Sequence, residues 1–420
     1  MVEKANMDKP FYHTSEVSNT IFGKDTALLP SVNELFELEL ANLEYNVLNK
    51  EELAERSAFF QSINGKPTKH FHLYSKQSVA LSENRSAKTK NYFANGQFST
   101  GYATHGLFPY RGKFHPQLIK GLLNIIDVKK GETILDPMCG SGTTNIEAAL
   151  MGINSYAVDQ SPFCRFMTET KFEALTIDVE LLKGLLQQAA KLFDFFDVQD
   201  VTAQLKKIKE PEKLKIYHLT LLAFLDAMGY AMRVTKSNHK QLFEKVLQRY
   251  QSTVFDFLTN PYYKKEKIGF VKVLSNSNAL KLELNDESVD GVITSPPYSF
   301  AIDYVKNDEA QLKYLGYDTE TIKTKMIGLN GKNKDERLNN YFNDMAVVCS
   351  EVARVLKKGR FVVMIIGSNT NQTGGIRLEN KVIDSCRMVG LNLVKSILKP
   401  IKGMRNTIKD EYILFFEKTV

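Results

Sequence analysis

The sequence has few cysteines and no segment typical of membrane or secreted proteins. Its four cysteines are scattered and show neither the CxxC spacing of a zinc site nor a disulfide framework. No uninterrupted apolar stretch approaches the ~20 residues of a membrane-spanning helix. The chain also begins without the apolar core of a signal peptide. These absences predict a reduced, cytoplasmic protein with no metal site and no membrane contact.

Charge of one sign is not in large excess either. Lys and Arg number 55 against 48 Asp and Glu, and the resulting net charge of +7 permits a polyanionic partner without requiring one. Hydrophobic residues make up 43% of the 420 positions, which is ordinary for a globular protein. This length predicts a core domain with one or two appended regions.

Strand-like and helical segments alternate from about residue 105 onward, which predicts a doubly wound, mostly parallel α/β sheet. The expected strands are 132–136, 154–159, 269–274, 289–294, 360–366, 391–398 and 411–417. The interval 168–267 is almost wholly helical in character and too long for an ordinary crossover, so we interpret it as a helical insertion. Before the alternation begins, residues 30–60 have a helical apolar pattern and residues 63–100 are basic and loop-rich.

A glycine-rich loop follows the strand-like segment Thr133-Ile134-Leu135. Glycines in such a loop let the backbone approach a ligand, and the next helix offers unpaired N–H groups. Asp159 lies 19 positions beyond Gly140 at the end of the following strand, the spacing typical of an acid that binds ribose hydroxyls. The loop lacks the Gly-Lys-Ser/Thr ending of a P-loop and the third glycine of the dinucleotide fingerprint. The pattern predicts a nucleotide-like cofactor without a pyrophosphate. Asp136 either attracts a cationic ligand group or caps the turn.

A second loop, Ser295-Pro296-Pro297-Tyr298, follows the apolar run Val292-Ile293-Thr294. Two prolines fix the backbone, so a carbonyl of Ser295 or Pro296 can point at a ligand amine. The Ser295 hydroxyl can accept a second hydrogen bond, and Tyr298 offers an aromatic face to a base taken out of its stack. Read alone, the same residues form a proline-rich turn.

Together, these two loops resemble those of the amino-methyltransferases, which transfer a methyl group from S-adenosylmethionine (SAM) to the exocyclic nitrogen of a nucleic-acid base. The first loop resembles the family's "DPFxGSGTT" motif, and the continuation from Ser299 to Tyr304 resembles a subgroup of bacterial and archaeal DNA amino-methyltransferases. The resemblance covers about 101–166 and 272–418. It implies a Rossmann-like class I methyltransferase fold with an antiparallel final strand, and SAM as the cofactor.

The resemblance implies a set of cofactor-binding residues. They are Asp136, Pro137, Met138, Cys139, Gly140, Ser141, Gly142, Thr143 and Thr144 of the loop, Asp159, Asn278 and Ala279, and Thr104, His105 and Lys113 upstream. Asn278 stands where many relatives carry an aspartate near the adenine ring. Read without the family, His105 is an ordinary capping or packing residue.

The implied catalytic residues are Ser295, Pro296, Pro297 and Tyr298. Serine at the first position is commoner in enzymes that methylate cytosine N4 than in those that methylate adenine N6. The resemblance therefore favours N4-methylation of a flipped-out cytosine in DNA, within a restriction–modification or defence system and with a cognate restriction endonuclease as partner. The alternatives are adenine N6 in DNA, an RNA amine such as guanosine N2, and a non-catalytic DNA-binding subunit. Cytosine C5 chemistry needs a nucleophilic cysteine, and the chain contains no Pro-Cys pair.

Four domains are expected from this pattern. They are an N-terminal extension at 1–100, a SAM-binding half at 101–167, a helical insertion at 168–267 and a catalytic half at 268–420. The insertion is the candidate target-recognition region, with Arg233, Lys236, His239 and Lys240 as a possible basic patch. Other candidate nucleic-acid contacts are the basic segments 63–92, 323–334 and 399–405, each of which can equally be a solvated surface.

Overall fold

The structure is a computed structural model that describes residues 14–32, 34–74, 101–110, 112–197, 200–231, 238–297, 303–367, 373, 375–401 and 410–419. The chain forms two compact units. The first contains residues 1–100 with 120–127, and the second contains 101–119 with 128–420. Among the described residues, no helix combines the length and apolarity needed to cross a membrane.

The first unit contains helices and a small antiparallel sheet. The helices are α1 (Thr14–Phe22), α2 (Leu35–Val47), α3 (Lys50–Arg56) and α4 (Lys69–Tyr74), and the strands are β1 (Ala27–Leu28), β2 (Phe60–Ile63) and β3 (Lys66–Pro67). The helical pattern predicted over 30–60 is divided in two. Asn49 interrupts it because its side chain accepts hydrogen bonds from the N–H groups of Glu51 and Glu52 and starts α3.

A buried carboxylate connects parts of this unit. Glu44 accepts the backbone N–H groups of Ala58 and Phe59 at 2.8 and 3.2 Å and the side-chain amide of Asn124 at 2.5 Å. These bonds satisfy the two N–H groups that precede β2. The predicted basic, loop-rich segment 63–100 contains β3 and α4 in its described part, and residues 75–100 lie outside the described residues.

The second unit contains a seven-stranded sheet, ordered β6-β5-β4-β7-β8-β10-β9. Its strands are β4 (Thr133–Asp136), β5 (Asn154–Ala157), β6 (Val271–Val273), β7 (Gly291–Thr294), β8 (Phe361–Gly367), β9 (Leu391–Pro400) and β10 (Asp410–Lys418). β10 runs antiparallel to both of its neighbours, whereas β4 to β8 pair in parallel. This order confirms the predicted Rossmann-like sheet with its antiparallel final strand.

Helix α5 (Pro116–Ile125) precedes β4 and includes residues of both units. The helices between the strands of this sheet include α6 (Thr143–Leu150), α7 (Pro162–Ala174), α13 (Tyr304–Asn307), α14 (Glu309–Tyr314), α15 (Thr319–Lys325), α16 (Lys334–Val355) and α17 (Leu378–Met388). The strands read as nearly continuous apolar runs because both faces of a parallel sheet are covered. One core cluster joins Leu135, Val292 and Met364 of the sheet to Tyr341 and Val348 of α16.

The segment between β5 and β6 is helical in its described part. After α7 it contains α8 (Val179–Leu182), α9 (Ala189–Phe196), α10 (Val201–Leu205), α11 (Pro211–Ala231) and α12 (His239–Leu258), with short 3-10 turns at Leu186–Gln188 and Lys265–Lys267. Phe193, Phe224 and Phe243 lie in one hydrophobic cluster with Phe163 of α7 and Leu312 of α14. The insertion therefore shares its core with helices that belong to the α/β part.

Candidate active site

A cavity of about 310 Å³ is lined by residues that follow β4, β5 and β7. The first loop contributes Pro137, Met138, Cys139, Gly140, Ser141 and Thr143; the residues after β5 contribute Asp159, Gln160, Ser161 and Cys164; and the second loop contributes Ser295 and Pro297. Ligands of open α/β sheets bind outside the carboxyl ends of the strands. This cavity has that position, and its volume lies in the range of small-molecule sites.

The first loop turns sharply at two glycines. Gly140 and Gly142 have φ angles of +50° and +75°, a backbone region that side chains other than glycine rarely enter. A Cβ atom on Gly142 would lie 2.7 Å from the side chain of Thr168. The loop is also anchored by two bonds, from Cys139 N–H to the Val158 carbonyl at 2.9 Å and from Lys171 Nζ to the Ser141 carbonyl at 3.2 Å. The result is a fixed cradle at the start of α6.

Asp159 joins this loop to the end of β5. Its two carboxylate oxygens accept the N–H groups of Gly140 and Ser161, each at 2.8 Å. Burial raises the pKa of Asp159, opposed by these two hydrogen bonds. Each carboxylate oxygen can accept a further hydrogen bond, and Asp159 lines the cavity, so the side chain can accept from a pair of ligand hydroxyls.

Asp136 lies beneath the loop and does not line the cavity. Its side chain accepts the N–H of Met138 at 3.2 Å, and the residue is 1% exposed. Burial raises the pKa of Asp136 to about 7, opposed by the nearby hydroxyls of Thr144 and Thr294 and by the hydrogen bond from Met138. These are the contacts of a residue that caps the turn, the second of the two interpretations of this residue. Gly142 and Thr144 also lie outside the cavity lining.

Of the three upstream residues predicted to bind cofactor, Lys113 lines the cavity, whereas Thr104 and His105 are buried and do not. Lys113 donates to the carbonyl of His105 at 2.8 Å, and burial lowers the pKa of Lys113 to about 8. The His105 ring lies 2.8 Å from a carboxylate oxygen of Glu147 that also accepts the hydroxyl of Tyr102 at 2.6 Å. His105 itself does not line the cavity, but its backbone carbonyl binds Lys113, which does.

Asn278 and Ala279, which follow β6, line the cavity as well. The side-chain oxygen of Asn278 accepts the N–H of Leu280 at 2.8 Å, and the backbones of Asn278 and Lys281 pair with each other. The amide side chain is therefore held by a tight local turn. Its NH₂ group remains the part of the side chain that can donate to a ligand.

The second loop brings Ser295 and Pro297 to the cavity, while Pro296 does not line it. The Ser295 hydroxyl donates to the carbonyl of Ile365 in β8 at 3.0 Å. Tyr298 lies outside the described residues.

Several further residues line the cavity, among them Tyr304 of the continuation from Ser299 to Tyr304 and Lys325 of the basic segment 323–334. Tyr110 and Cys164 face each other, with a sulfur–oxygen distance of 3.4 Å. Tyr304 also lines the cavity, whereas its neighbour Asp303 caps α13 by accepting the N–H of Lys306 at 2.9 Å. Asp308, Lys325 and Asp344 complete the polar lining. Tyr110 precedes Lys113 by three positions, but nothing in the local pattern distinguishes Asp308 or Asp344 from acids at the surface.

The lining residues fit SAM. Asp159 offers acceptors for ribose hydroxyls, Lys113 offers a cation for the carboxylate of the amino-acid group, and the Gly140 turn leaves room for a ligand against the backbone.

Residues 107–250 match the UPF0020 family model, described as an RMKL-like methyltransferase domain. The chain contains a SAM-dependent methyltransferase domain. The resemblance and the cofactor predicted from the motifs are thereby confirmed.

Relatives of the chain include two Type II methyltransferases. The chain is 25% identical over 327 residues to M.BsoBI of Geobacillus stearothermophilus, and this match covers 64% of each chain. It is 43% identical over 82 residues to M.MjaII of Methanocaldococcus jannaschii, covering 20% of this chain and 15% of that one. A shorter match, 44% over 52 residues, is to a tRNA (guanine(10)-N2)-dimethyltransferase of Methanothermobacter thermautotrophicus, covering 12% and 16% of the two chains. The chain therefore spans less than two thirds of the length of each of these relatives.

Replacing Gly142 tests the cradle. In Gly142→Ala, the new methyl group meets both the Thr168 side chain and an unfavourable backbone angle, so the loop must move. We expect SAM affinity, measured by isothermal titration calorimetry, to fall at least about ten-fold, since small displacements of a preformed site are costly. Gly131→Ala is the matched control. Gly131 has a φ of +86° but open space around its Cβ position, so we expect a stability loss of about 1 kcal/mol with unchanged SAM affinity. Equal SAM affinities for the two variants would contradict the cradle.

Proposed function

We propose that this chain transfers the methyl group of SAM to the exocyclic N4 of cytosine in DNA. The observation that carries the proposal is the position of Ser295. Its side chain lines the same cavity as the cofactor loop, and its hydroxyl proton is committed to a backbone carbonyl.

The hydrogen bond to Ile365 decides what Ser295 can do for a ligand. A carbonyl oxygen only accepts, so the single proton of the hydroxyl must point at Ile365. The lone pairs of Ser295 Oγ are then its remaining hydrogen-bonding capacity. Ser295 is thus pre-set to accept from a donor, such as the two-proton amine of cytosine, adenine or guanine.

Amine methylation is difficult because the nitrogen lone pair is delocalised into the base ring. Accepting hydrogen bonds from the amine protons localises that lone pair, and a rigid site holds the nitrogen in line. Pro296 and Pro297 supply the rigidity, because each fixes its own φ angle. Bound SAM supplies an electrophilic methyl group. The chain's own contribution is to align and desolvate the amine, with no covalent bond between enzyme and base.

A base inside a duplex cannot reach this cavity, so the target must be flipped out. By sequence, Tyr298 is the residue that would stack on it. Pocket residues such as Tyr304 and Asp344 face the same space and are candidates to contact the base. Serine at the head of the second loop favours cytosine N4, and adenine N6 is the alternative.

The DNA assignment is supported by the Type II methyltransferases among the relatives and by a basic rim. Residues Thr324–Ile327 and Asn330 line the cavity, so the Lys-rich segment 323–334 predicted as a nucleic-acid contact begins at its edge. Lys325 is exposed there, whereas Lys323 pairs with Glu320 at 2.8 Å. Phosphate contacts of this kind position a duplex without reading its sequence.

We assign target recognition to the insertion at 168–267, between the SAM-binding half at 101–167 and the catalytic half at 268–420. Of its predicted basic patch, Lys240 pairs with Asp194 at 3.1 Å and the His239 ring approaches the Phe224 carbonyl at 3.4 Å, while Arg233 and Lys236 lie outside the described residues. Of the other two basic segments, residues 75–92 and 402–405 also lie outside the described residues.

We extend the DNA proposal to a role in restriction–modification, with a cognate endonuclease as partner and a cytoplasmic location.

The tRNA (guanine(10)-N2)-dimethyltransferase match favours a second candidate, methylation of guanosine N2 in RNA. The Ser295 hydroxyl, which can only accept from a ligand, would suit the N2 amine of guanosine as well as the N4 amine of cytosine. The two candidates therefore differ in the nucleic acid that is methylated, DNA or RNA.

The function is tested by methyl transfer from labelled SAM to unmodified DNA and, separately, to total RNA, with the product nucleoside identified by mass spectrometry. We expect N4-methylcytosine in DNA. N6-methyladenine would retain the mechanism and change the base, and label confined to RNA would select the second candidate. SAM binding without transfer to either substrate would count against both.

Ser295→Ala tests the acceptor role. The variant loses one hydrogen-bond acceptor for the amine, so we expect kcat to fall roughly 100-fold, with SAM affinity changed less than about three-fold. The matched control is Ser288→Ala in the turn before β7, because Ser288 is partly exposed and its hydroxyl bonds only to the nearby Asn285 carbonyl, at 2.6 Å, in the described structure. Normal kcat in Ser295→Ala would remove the serine from the catalytic assignment.

Lys325→Ala tests the rim. Loss of one phosphate contact should weaken DNA binding about equally for all sequences and reduce the slope of log affinity against log salt by roughly 1. Lys358→Ala is the control, since this exposed lysine precedes β8 at the edge of the sheet opposite the cavity. Fluorescence anisotropy at several salt concentrations measures both slopes, and identical slopes for the two variants would contradict a contact at Lys325.

A further inference from the structure

Asp308 is a buried acidic residue in the cavity lining that belongs to neither of the two loop motifs. The residue joins α13 to α14, lines the cavity and is only 6% exposed. Although it stands at the start of α14, its side chain makes no capping hydrogen bond. Within the described parts of the chain its carboxylate has no hydrogen-bond or ion-pair partner.

The surroundings of Asp308 are unfavourable for a negative charge. Burial and the neighbouring carboxylate of Asp159 raise the pKa of Asp308 to about 7. Its charge in turn contributes to raising the pKa values of Tyr110 and Cys164, two other lining residues. Asp308, Asp159, Tyr110 and Cys164 all line the same cavity.

Nearby cations are directed elsewhere. Lys171 donates to the Ser141 carbonyl at 3.2 Å, Arg165 donates to the Asp159 carbonyl at 2.7 Å, and Lys113 donates to the His105 carbonyl at 2.8 Å. Arg165 still acts electrostatically on Asp159, but Asp308 has no ion-pair partner among the described residues and lies in a desolvated part of the cavity lining. Such an arrangement is costly unless a ligand brings positive charge.

SAM and its product share the ammonium and carboxylate groups of the amino-acid end, so the charge at sulfur is what distinguishes them. The sulfonium of SAM is a cation, while S-adenosylhomocysteine (SAH) carries a neutral thioether at the same atom. We propose that Asp308, acting with Asp159, makes the cavity select the cationic cofactor over its neutral product. Asp308 is then a specificity-determining residue that favours exchange of spent SAH for fresh SAM after each transfer. This inference rests on the SAM-binding part of the proposed function and is independent of the target base.

The test measures ligand binding to the full chain in the absence of nucleic acid. Isothermal titration calorimetry gives the dissociation constants of SAM, SAH and sinefungin, a non-reactive analogue with an amine cation near the sulfonium position. In Asp308→Asn we expect roughly ten-fold weaker binding of SAM and sinefungin, with SAH changed less than about three-fold, as removal of one nearby charge predicts. Asp308→Glu, which keeps the charge, should retain the preference for the cations.

Asp303→Asn is the matched control. It removes a carboxylate from the same short helix, outside the cavity lining, and asparagine caps a helix as well as aspartate does. Retained SAH binding in Asp308→Asn shows that the site is still folded. Equal losses for all three ligands, or an unchanged SAM-to-SAH ratio, would overturn the inference, even if DNA methylation were confirmed. If the wild-type chain bound none of them, the cofactor assignment would fail as well, whereas the absence of DNA methylation alone would leave this inference intact.

Discussion

The parallel pairing of β4 with β7 is the constraint on which the site depends. Leu135 lies opposite Val292 in the register of these neighbouring strands, so both strands end at the same edge of the sheet. The cofactor loop and the Ser-Pro-Pro loop are 159 positions apart in the sequence, since one begins at Asp136 and the other at Ser295. The strand pairing brings them to one cavity. A one-residue change in this register would turn the apolar side chains of β7 to the opposite face of the sheet and displace Ser295.

Desolvated charge is the second property of the cavity. Asp159 is fixed by two backbone N–H groups and Lys113 by a backbone carbonyl, so both side chains keep their positions without a ligand. Asp308 lacks such a partner among the described residues. A site built this way is complementary to a molecule with hydroxyls, a carboxylate and a positive charge. It also exposes little of that charge to water, which strengthens each interaction.

The helical insertion affects the site through packing. Its hydrophobic cluster includes Val305 and Leu312, which lie on either side of Asp308 in the sequence. In addition, the Gln311 side chain donates to the Leu225 carbonyl of α11 at 3.2 Å. The insertion thus supports the short helices that carry Tyr304 and Asp308 to the cavity. A region assigned to target recognition from its size and position is, in physical terms, also part of the wall behind the cofactor site.

The sheet class could be predicted from the sequence, as could the positions of both loops and the place of Asp159 at the end of β5, because each depends on local signals: strand periodicity, turn glycines, paired prolines and a fixed spacing. The predicted boundaries for the seven strands of this sheet agree with the structure within about two residues at most ends. Which of the predicted residues line the cavity depends on the packing of the folded chain. It placed Asp136, Thr104 and His105 behind the wall and brought Asp308, Asp344 and Tyr110 into it. The physical reason is that a side chain's partners and desolvation are set by residues distant in the sequence, and no local pattern encodes them.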